Sequence, residues 1–482
     1  MSDLPDPPPD PAEARAQPAT ARLPWGVRLV PLAVASALMM EMLDATALST
    51  ALPTLAREFR VEPVHLKFAL TSYIMAFAVA APGSGWVAQR WGPKRVFCIA
   101  MTVFLLGSVL CGLSHSLPQM IASRVVQGVG GAMMTPVGRL ILVSATPKER
   151  FVAAMAWFSM PALIGPLLGP PLAGFIIEWA SWPWIFFINI PFGILGMAAV
   201  TAFVPRLEET LPGRFDLPGF LLAGAAIISL VVLADTIGAG LIPLWAQLTL
   251  AGVCTLFAAA FIRHGLRRPE PVLDLRLLAY PTFRTALIGG NLMRMGLGAT
   301  PFLMSLLLQV ALGWSPVKAA SVTIFTAVGI FAMKPLAAPI IRRFGYRTTL
   351  IWAGVLAAIG AAVPAGFGPW LPPVAMMAIL AWSGFVRSMH FTGVNTLAYA
   401  DVPRERVARA ATLLAVTQQV GMSLGITLGA LALHLTTLGG GEMTPDRFVF
   451  PFLLVGAISL LAVPLYLRLS PDAGHQISGR AR

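Results

Sequence analysis

Long apolar runs, broken by short basic stretches, set the pattern of this chain. Fourteen runs are long enough for membrane-crossing helices, from Leu29–Leu52 to Val449–Leu467. A hydrocarbon core about 30 Å thick is crossed by about 20 helical residues. The fourth run is Pro118–Ile141, the fifth Phe151–Ile177, the tenth Val317–Ile340 and the eleventh Thr349–Phe367; the third, Val96–Gly112, is short. The polar breaks repeat. GSGWVAQRWGPKR (83–95) and TPKER (146–150) return, weakened, as IIRRFGYRT (340–348) and VPRER (402–406). Arg90 precedes Arg343 by 253 residues, and Pro147 precedes Pro403 by 256. The chain therefore reads as an all-α integral membrane protein of fourteen helices in a 6+2+6 arrangement. A six-helix bundle over 27–204 is followed by two extra helices within 205–282 and a second bundle over 283–469. Duplicated bundles of this kind are the architecture of secondary transporters.

Composition narrows the class. Apolar residues make up 57% of the chain and charged residues 11%, against about 25% charged in soluble domains. Most of the 34 Lys and Arg fall on the side of the even-numbered loops and both tails, which places residues 1–26 and 470–482 in the cytoplasm. This spread explains the net charge of +13 and argues against nucleic acid, which calls for one basic soluble face. The Pro-rich start carries Asp3, Asp6, Asp10 and Glu13 and reads as a disordered tail, since a signal peptide begins basic. Cys98, Cys111 and Cys254 lie in apolar runs without disulfide or zinc spacing. No P-loop, HExxH or GxSxG element occurs. The expectation is a protein that is not an enzyme, uses no metal or cofactor, and draws on an ion gradient.

Ionisable groups inside a bilayer are costly and so mark function. Glu41 and Asp44 share a face of the first helix. Arg124 is followed by Gln127 one turn later on the fourth. Asp44 lies about 12 Å below one end of its run and Arg124 about 9 Å below the same end, so the two meet if their helices touch. An acid beside an arginine, facing a central hollow, has a proton affinity that depends on what enters. Glu41 either shares that proton or contacts a cationic substrate. Asn291, Arg294, Arg387, His390 and Gln418, with Gln127, are the candidates for a polar substrate cavity; the structural alternative is hydrogen bonding between helices. Arg139, Lys334 and Asp235 lie near helix ends and are set aside. The fifth helix, PALIGPLLGPPLAG, combines close-packing glycines with kinking prolines.

These motifs resemble a known family over residues 27–469: the fourteen-helix drug:proton antiporters of the major facilitator superfamily, of the EmrB/QacA type. LDATALSTALP (43–53) is similar to that family's LDxTVVNVALP, and RVVQGVGGA (124–132) to its RxxQGxGxA. GWVAQRWGPKR resembles the gating element GxLADRxGRR, which marks Gly85, Gln89, Arg90, Gly92 and Arg95. GPLLGP resembles the antiporter element GPxLGG, which marks Gly165, Pro166 and Gly169; SWPWIFFINIPFG (181–193) is close to SWRWIFxINxPxG. The stretch RMGLGATPFLMSLLLQ (294–309) resembles the MdtD-like branch. The resemblance implies two bundles rocking about a central site and proton-driven export, with Asp44 and Arg124 most strongly marked. Four positions depart from the pattern: Gln89 for aspartate, Ser49 for asparagine, Pro170 for glycine and Pro183 for arginine.

The expected function is proton-driven export of small amphipathic compounds by alternating access, from the bacterial inner membrane. The partners are a small-molecule substrate, protons and the lipid bilayer, with an accessory periplasmic protein left open. Buried basic residues outnumber buried acids, which gives an exporter of organic anions or metabolites as the alternative. A non-transporting membrane sensor or scaffold is more remote.

Overall fold

In lipid every backbone N–H and C=O must be satisfied within its own segment, which leaves helices as the form for these apolar runs. The computed structural model describes residues 25–145, 167–205, 213–237, 242–403, 406–437 and 442–475, and all regular structure among them is helical. The first half contains α1 (Trp25–Phe59), α2 (Lys67–Ala80), α3 (Ser84–Trp91), α4 (Pro93–Gly112), α5 (Leu117–Ala145), α6 (Leu167–Trp179), α7 (Trp184–Phe187) and α8 (Asn189–Phe203). An inserted pair, α9 (Leu217–Thr236) and α10 (Leu244–Arg267), follows. The second half contains α11 (Pro281–Leu306), α12 (Pro316–Ala362), α13 (Pro373–Leu397), α14 (Val407–Thr437), α15 (Val449–Leu460) and α16 (Val463–Leu467).

Twelve helices among the described residues are long and apolar enough to cross a membrane. The fourteen expected differ from this count at two places. The tenth and eleventh runs form one stretch, Pro316–Gly366, of 51 residues. Straight, it would measure about 75 Å, more than twice the core it crosses, and its backbone breaks at Gly345 (φ 77°, ψ 166°). The fifth run is described only as the shorter α6, Leu167–Trp179. Helical structure also begins earlier than expected, at Trp25 in α1 and at Pro93 in α4. Much of the two expected tails lies outside the described residues.

Chain direction gives the molecule two ends. Lys94 Nζ donates to Val204 O (2.6 Å) and Arg347 Nη2 to Leu467 O (3.1 Å) at the end that carries the last described residues. At the far end Gln309 Nε2 donates to Thr50 O (2.9 Å), joining the second half to α1. Exposed tryptophans mark both: Trp91 and Trp352 at the first, Trp179, Trp184, Trp245 and Trp370 at the far end, the distribution of an interfacial aromatic belt. The halves meet where α2 packs on α14 and α1 on α11. In the inserted pair, α9 touches both α2 and α14, whereas α10 packs on α9 and buries little more than Gly265.

Asp216 caps the start of α9. Its carboxylate accepts from Gly219 N–H (3.2 Å) and Val272 N–H (3.1 Å) and meets His264 Nε2 (2.8 Å) and Arg268 Nε (3.3 Å), which ties α9 to α10 and the loop after it. Burial alone would raise its pKa; the bonds from His264, Val272 and Gly219 outweigh this and hold it below the usual carboxylate range.

Candidate functional site

The matched depths of Asp44 and Arg124 become a contact because α1 packs against α5. Arg124 Nη1 lies 2.6 Å from Asp44 Oδ2, and both side chains are essentially inaccessible. Gln127 Nε2 donates to Asp44 Oδ1 (2.8 Å) and Asn189 Nδ2 to the same oxygen (3.2 Å). Ser108 Oγ accepts from both amides, at 2.8 Å and 3.3 Å. Arg124 also bonds Gln127 Oε1, donates from Nε to Ala69 O (3.2 Å), and lies over the Tyr73 ring at 4.3 Å. Three donors thus converge on one carboxylate, the hydrogen-bond demand of the ionised acid, and the arginine is held by charge, carbonyl and ring together. Glycines make this closeness possible: a Cβ at Gly107 would collide with the Gln127 backbone, and one at Gly128 with Tyr73 O.

Two expectations change here. Asp44 was expected to face a central hollow, yet it is sealed inside the first half, surrounded by α4, α5 and α8. Gln127 was expected to line the substrate cavity, yet it is fully buried beside Asp44. Glu41 is buried and accepts from Thr135 Oγ1 (2.9 Å) rather than sharing a hydrogen bond with Asp44.

The hollow between the halves lies beside this cluster. A cavity of about 160 Å³ is lined by Thr46, Ser49, Thr50 and Pro170 from the first half and by Thr300, Gln309, Thr323 and Arg387, among others, from the second. Thr46 and Ser49 stand within two turns of Asp44 on α1, so the acid and the cavity share one helix. Gly169 lets its helix approach the cavity-lining Thr46 closely, since a Cβ there would overlap Thr46 Oγ1; Gly165 and Pro166 lie outside the described residues.

A smaller cavity of about 50 Å³ in the second half is lined by Arg294, Arg387, His390, Phe391 and Asn395 among others. Arg387 borders both cavities and connects them. Its Nε is buried without a hydrogen-bond partner, and so is Asn291 Oδ1. Arg294 stacks on Phe391 (4.7 Å), and His390 Nε2 meets Tyr466 OH (2.8 Å). Gln418 donates to Asn395 Oδ1 (3.0 Å), behind the cavity wall. Among the described residues no carboxylate pairs with Arg294 or Arg387.

The gating stretch forms α3 and the start of α4. Gly85, Gln89, Arg90 and Arg95 are exposed, and Gly92 (φ 82°) makes the turn. No side chain caps α4 there, so Gln89 does not take the capping part an aspartate would have. Gly92 and Gly345 are 253 residues apart, the spacing of the repeat, and both have positive φ.

Asn189 and Ser108 escaped sequence reasoning. Asn189 had a signal, since it is the asparagine of the matched INIPFG element; Ser108 had none. Lys67, Thr71 and Thr427 were also missed, and Asp235 was set aside as a helix-end residue. It is buried, and Lys67 Nζ donates to its carbonyl (2.9 Å).

The Major Facilitator Superfamily model matches residues 34–267 and 286–482. A Klebsiella pneumoniae protein, provisionally named multidrug resistance protein MdtD, is 35% identical over 95% of this chain and 98% of its own length. Its namesake in Salmonella typhimurium is 37% identical over 91% of this chain and 94% of its own. Among solved structures, a POT family peptide transporter in complex with sulfate superposes with a TM-score of 0.69 at 14% identity, covering 95% of this chain and 96% of that one. The partially occluded inward open xylose transporter XylE from E. coli gives 0.61 at 15% identity, covering 92% and 97%. The fold, the matched model and the full-length relatives agree: the chain belongs to the Major Facilitator Superfamily.

Proposed function

We propose that this protein is a proton-driven secondary transporter that exports small amphipathic compounds from the bacterial inner membrane by alternating access. The observation that carries the coupling is the sealed Asp44–Arg124 pair, on the same helix as the cavity-lining Thr46 and Ser49. A buried pair broken from one side leaves an uncompensated charge at a cost of about 3–5 kcal/mol. Proton uptake by Asp44 removes the charge from one partner and releases the constraint between α1 and α5, so that the walls of the cavity can move. The sealed position of Asp44 requires that movement to open a path to it. Full-length relatives named for multidrug resistance support the substrate class.

In this reading the chain makes fourteen crossings with both tails in the cytoplasm. The break at Gly345 divides one 51-residue stretch into two spans, and α6 is the described part of another. The 27–204 and 283–469 bundles rock about the cavity, with 205–282 inserted between them. Proteoliposomes with an imposed pH gradient test the reading: a cationic dye such as ethidium should leave in exchange for protons. Dye that stays in place under every gradient overturns it.

The organic-anion alternative rests on one specific observation. Arg294 and Arg387 border the cavities without a paired carboxylate, and Arg387 Nε lacks a partner, an arrangement suited to a bidentate acid. Replacing the dye with a di- or tricarboxylate in the same vesicles separates the two.

A further inference from the structure

We propose that Asp235, on the first helix of the inserted pair, is a latch of the far-end gate, and that the pair travels with the first half of the molecule. The proposal rests on the alternating-access reading above.

A carboxylate near the end of a lipid-facing helix would ordinarily turn to water. Asp235 turns inward and is 5% exposed, against Lys67 at 2%. Four contacts hold it. Lys67 Nζ donates to its carbonyl (2.9 Å) and lies 4.0 Å from Oδ1; Thr71 Oγ1 donates to Oδ2 (2.8 Å); and Thr427 Oγ1 bonds Oδ1. The first three come from α2 and the last from α14. One residue of the inserted pair therefore touches both halves, at the end where Gln309 also bridges to Thr50.

Opening the cavity at the far end separates α2 from α14, and the cluster has one weak side. Parting Lys67 from Asp235 would leave two buried charges unpaired, the costly way to break such a site. Parting Thr427 from Asp235 costs one neutral donor, and Thr427 Oγ1 already stands 3.1 Å from Ser423 O, an acceptor on its own helix. Asp235 keeps Thr71 and Lys67. The cluster breaks at Thr427, so α9 and α10 stay with α2, and the latch closes again when α14 returns.

The full chain, with Cys98, Cys111 and Cys254 replaced, tests this. His65, Ile237 and His434 line one small hollow at this end, so paired labels there report the three bodies. Spin-label distances between positions 65 and 434 should show closed and open populations, while 65 to 237 stays fixed. Thr427→Val, which keeps the shape and removes the donor, should raise the open-to-closed ratio about tenfold or more, the worth of one hydrogen bond to a charged group. A reducible cross-link between 237 and 434 should stop ethidium export, and one between 65 and 237 should spare it. A fixed 237–434 distance with a variable 65–237 distance overturns the proposal, as does an unchanged distribution in Thr427→Val. The distances need no substrate, so they decide the latch even if ethidium proves not to be cargo.

Discussion

The two halves of this molecule share a backbone plan and differ in their buried charges. Gly92 and Gly345 place the same positive-φ turn 253 residues apart. Around the first, Asp44, Arg124, Gln127, Asn189 and Ser108 satisfy one another, and the neighbouring Tyr73 hydroxyl is left without a partner. In the second half the half-buried cations Arg294 and Arg387 face cavities, and a guanidinium nitrogen and an amide oxygen have no partner. A saturated network suits a switch that must be broken by a proton, while an unsaturated one suits a surface that a ligand completes.

The largest effect should come from breaking the first half. Asp44→Asn keeps the shape but cannot cycle a proton, and substrate-driven proton movement in proteoliposomes should fall to background while insertion and monodisperse purification persist. Unimpaired antiport in that variant would remove Asp44 from coupling. Arg124→Ala should cost more in folding, about 3–5 kcal/mol, because it strands the carboxylate; thermal unfolding in detergent measures it. Double replacement with Asp44→Asn should recover part of that loss.

The second half should respond in binding rather than coupling. Arg387→Gln removes the cation that joins the two cavities. Binding of a polycarboxylate, measured by calorimetry, should weaken about tenfold or more, as expected for a lost charge-assisted bond, while Asp44-dependent coupling persists. If ethidium binding instead tightens or is unchanged and no carboxylate binds wild type, the unpaired arginines serve packing and the organic-anion alternative fails.

The matched turns offer a smaller test of the shared plan. An alanine at either glycine meets a left-handed backbone, at about 1–2 kcal/mol. Gly92→Ala and Gly345→Ala should therefore lower thermal stability by similar amounts. A cost at one site only would mean that the two turns are equivalent in shape and unequal in load.

What was legible in the sequence follows from where information is local. Apolar runs and basic breaks fix helices and their order because the bilayer imposes length and polarity on each segment separately. Asp44 and Arg124 could be paired because both carry charge in apolar runs and depth is countable from helical rise. Rotation about the helix axis is not countable in that way, so the sequence points Asp44 at a hollow that it lies sealed beside. Ser108 is one serine among many until α4 packs on α5. Counted by depth alone, Asp235 is an end residue; its meaning depends on Lys67 and Thr427, 168 and 192 residues away.

The smallest predicted effect supplies a control for the comparison. Any pH dependence of export must be separated from pH dependence of the fold, and Asp216 is a carboxylate at the membrane edge with no part in either cavity. Its pKa is depressed in the folded protein, so its stabilisation is complete above the unfolded value near 3.9 and fades as pH falls through the lower folded value. Between pH 5 and 8 its own charge is constant, while its contact with His264 is an ion pair only when the imidazole is protonated. Asp216→Asn should cost about 1 kcal/mol at pH 7, typical of a weakened helix cap, and at least as much at pH 5, where a protonated His264 pairs with the carboxylate, and leave the proton stoichiometry of export unchanged. Thermal unfolding at the two pH values, with antiport recorded alongside, checks both parts. A pH profile of export that shifts in Asp216→Asn would show that the inserted pair feeds into coupling, and the difference between the halves would then need a third member.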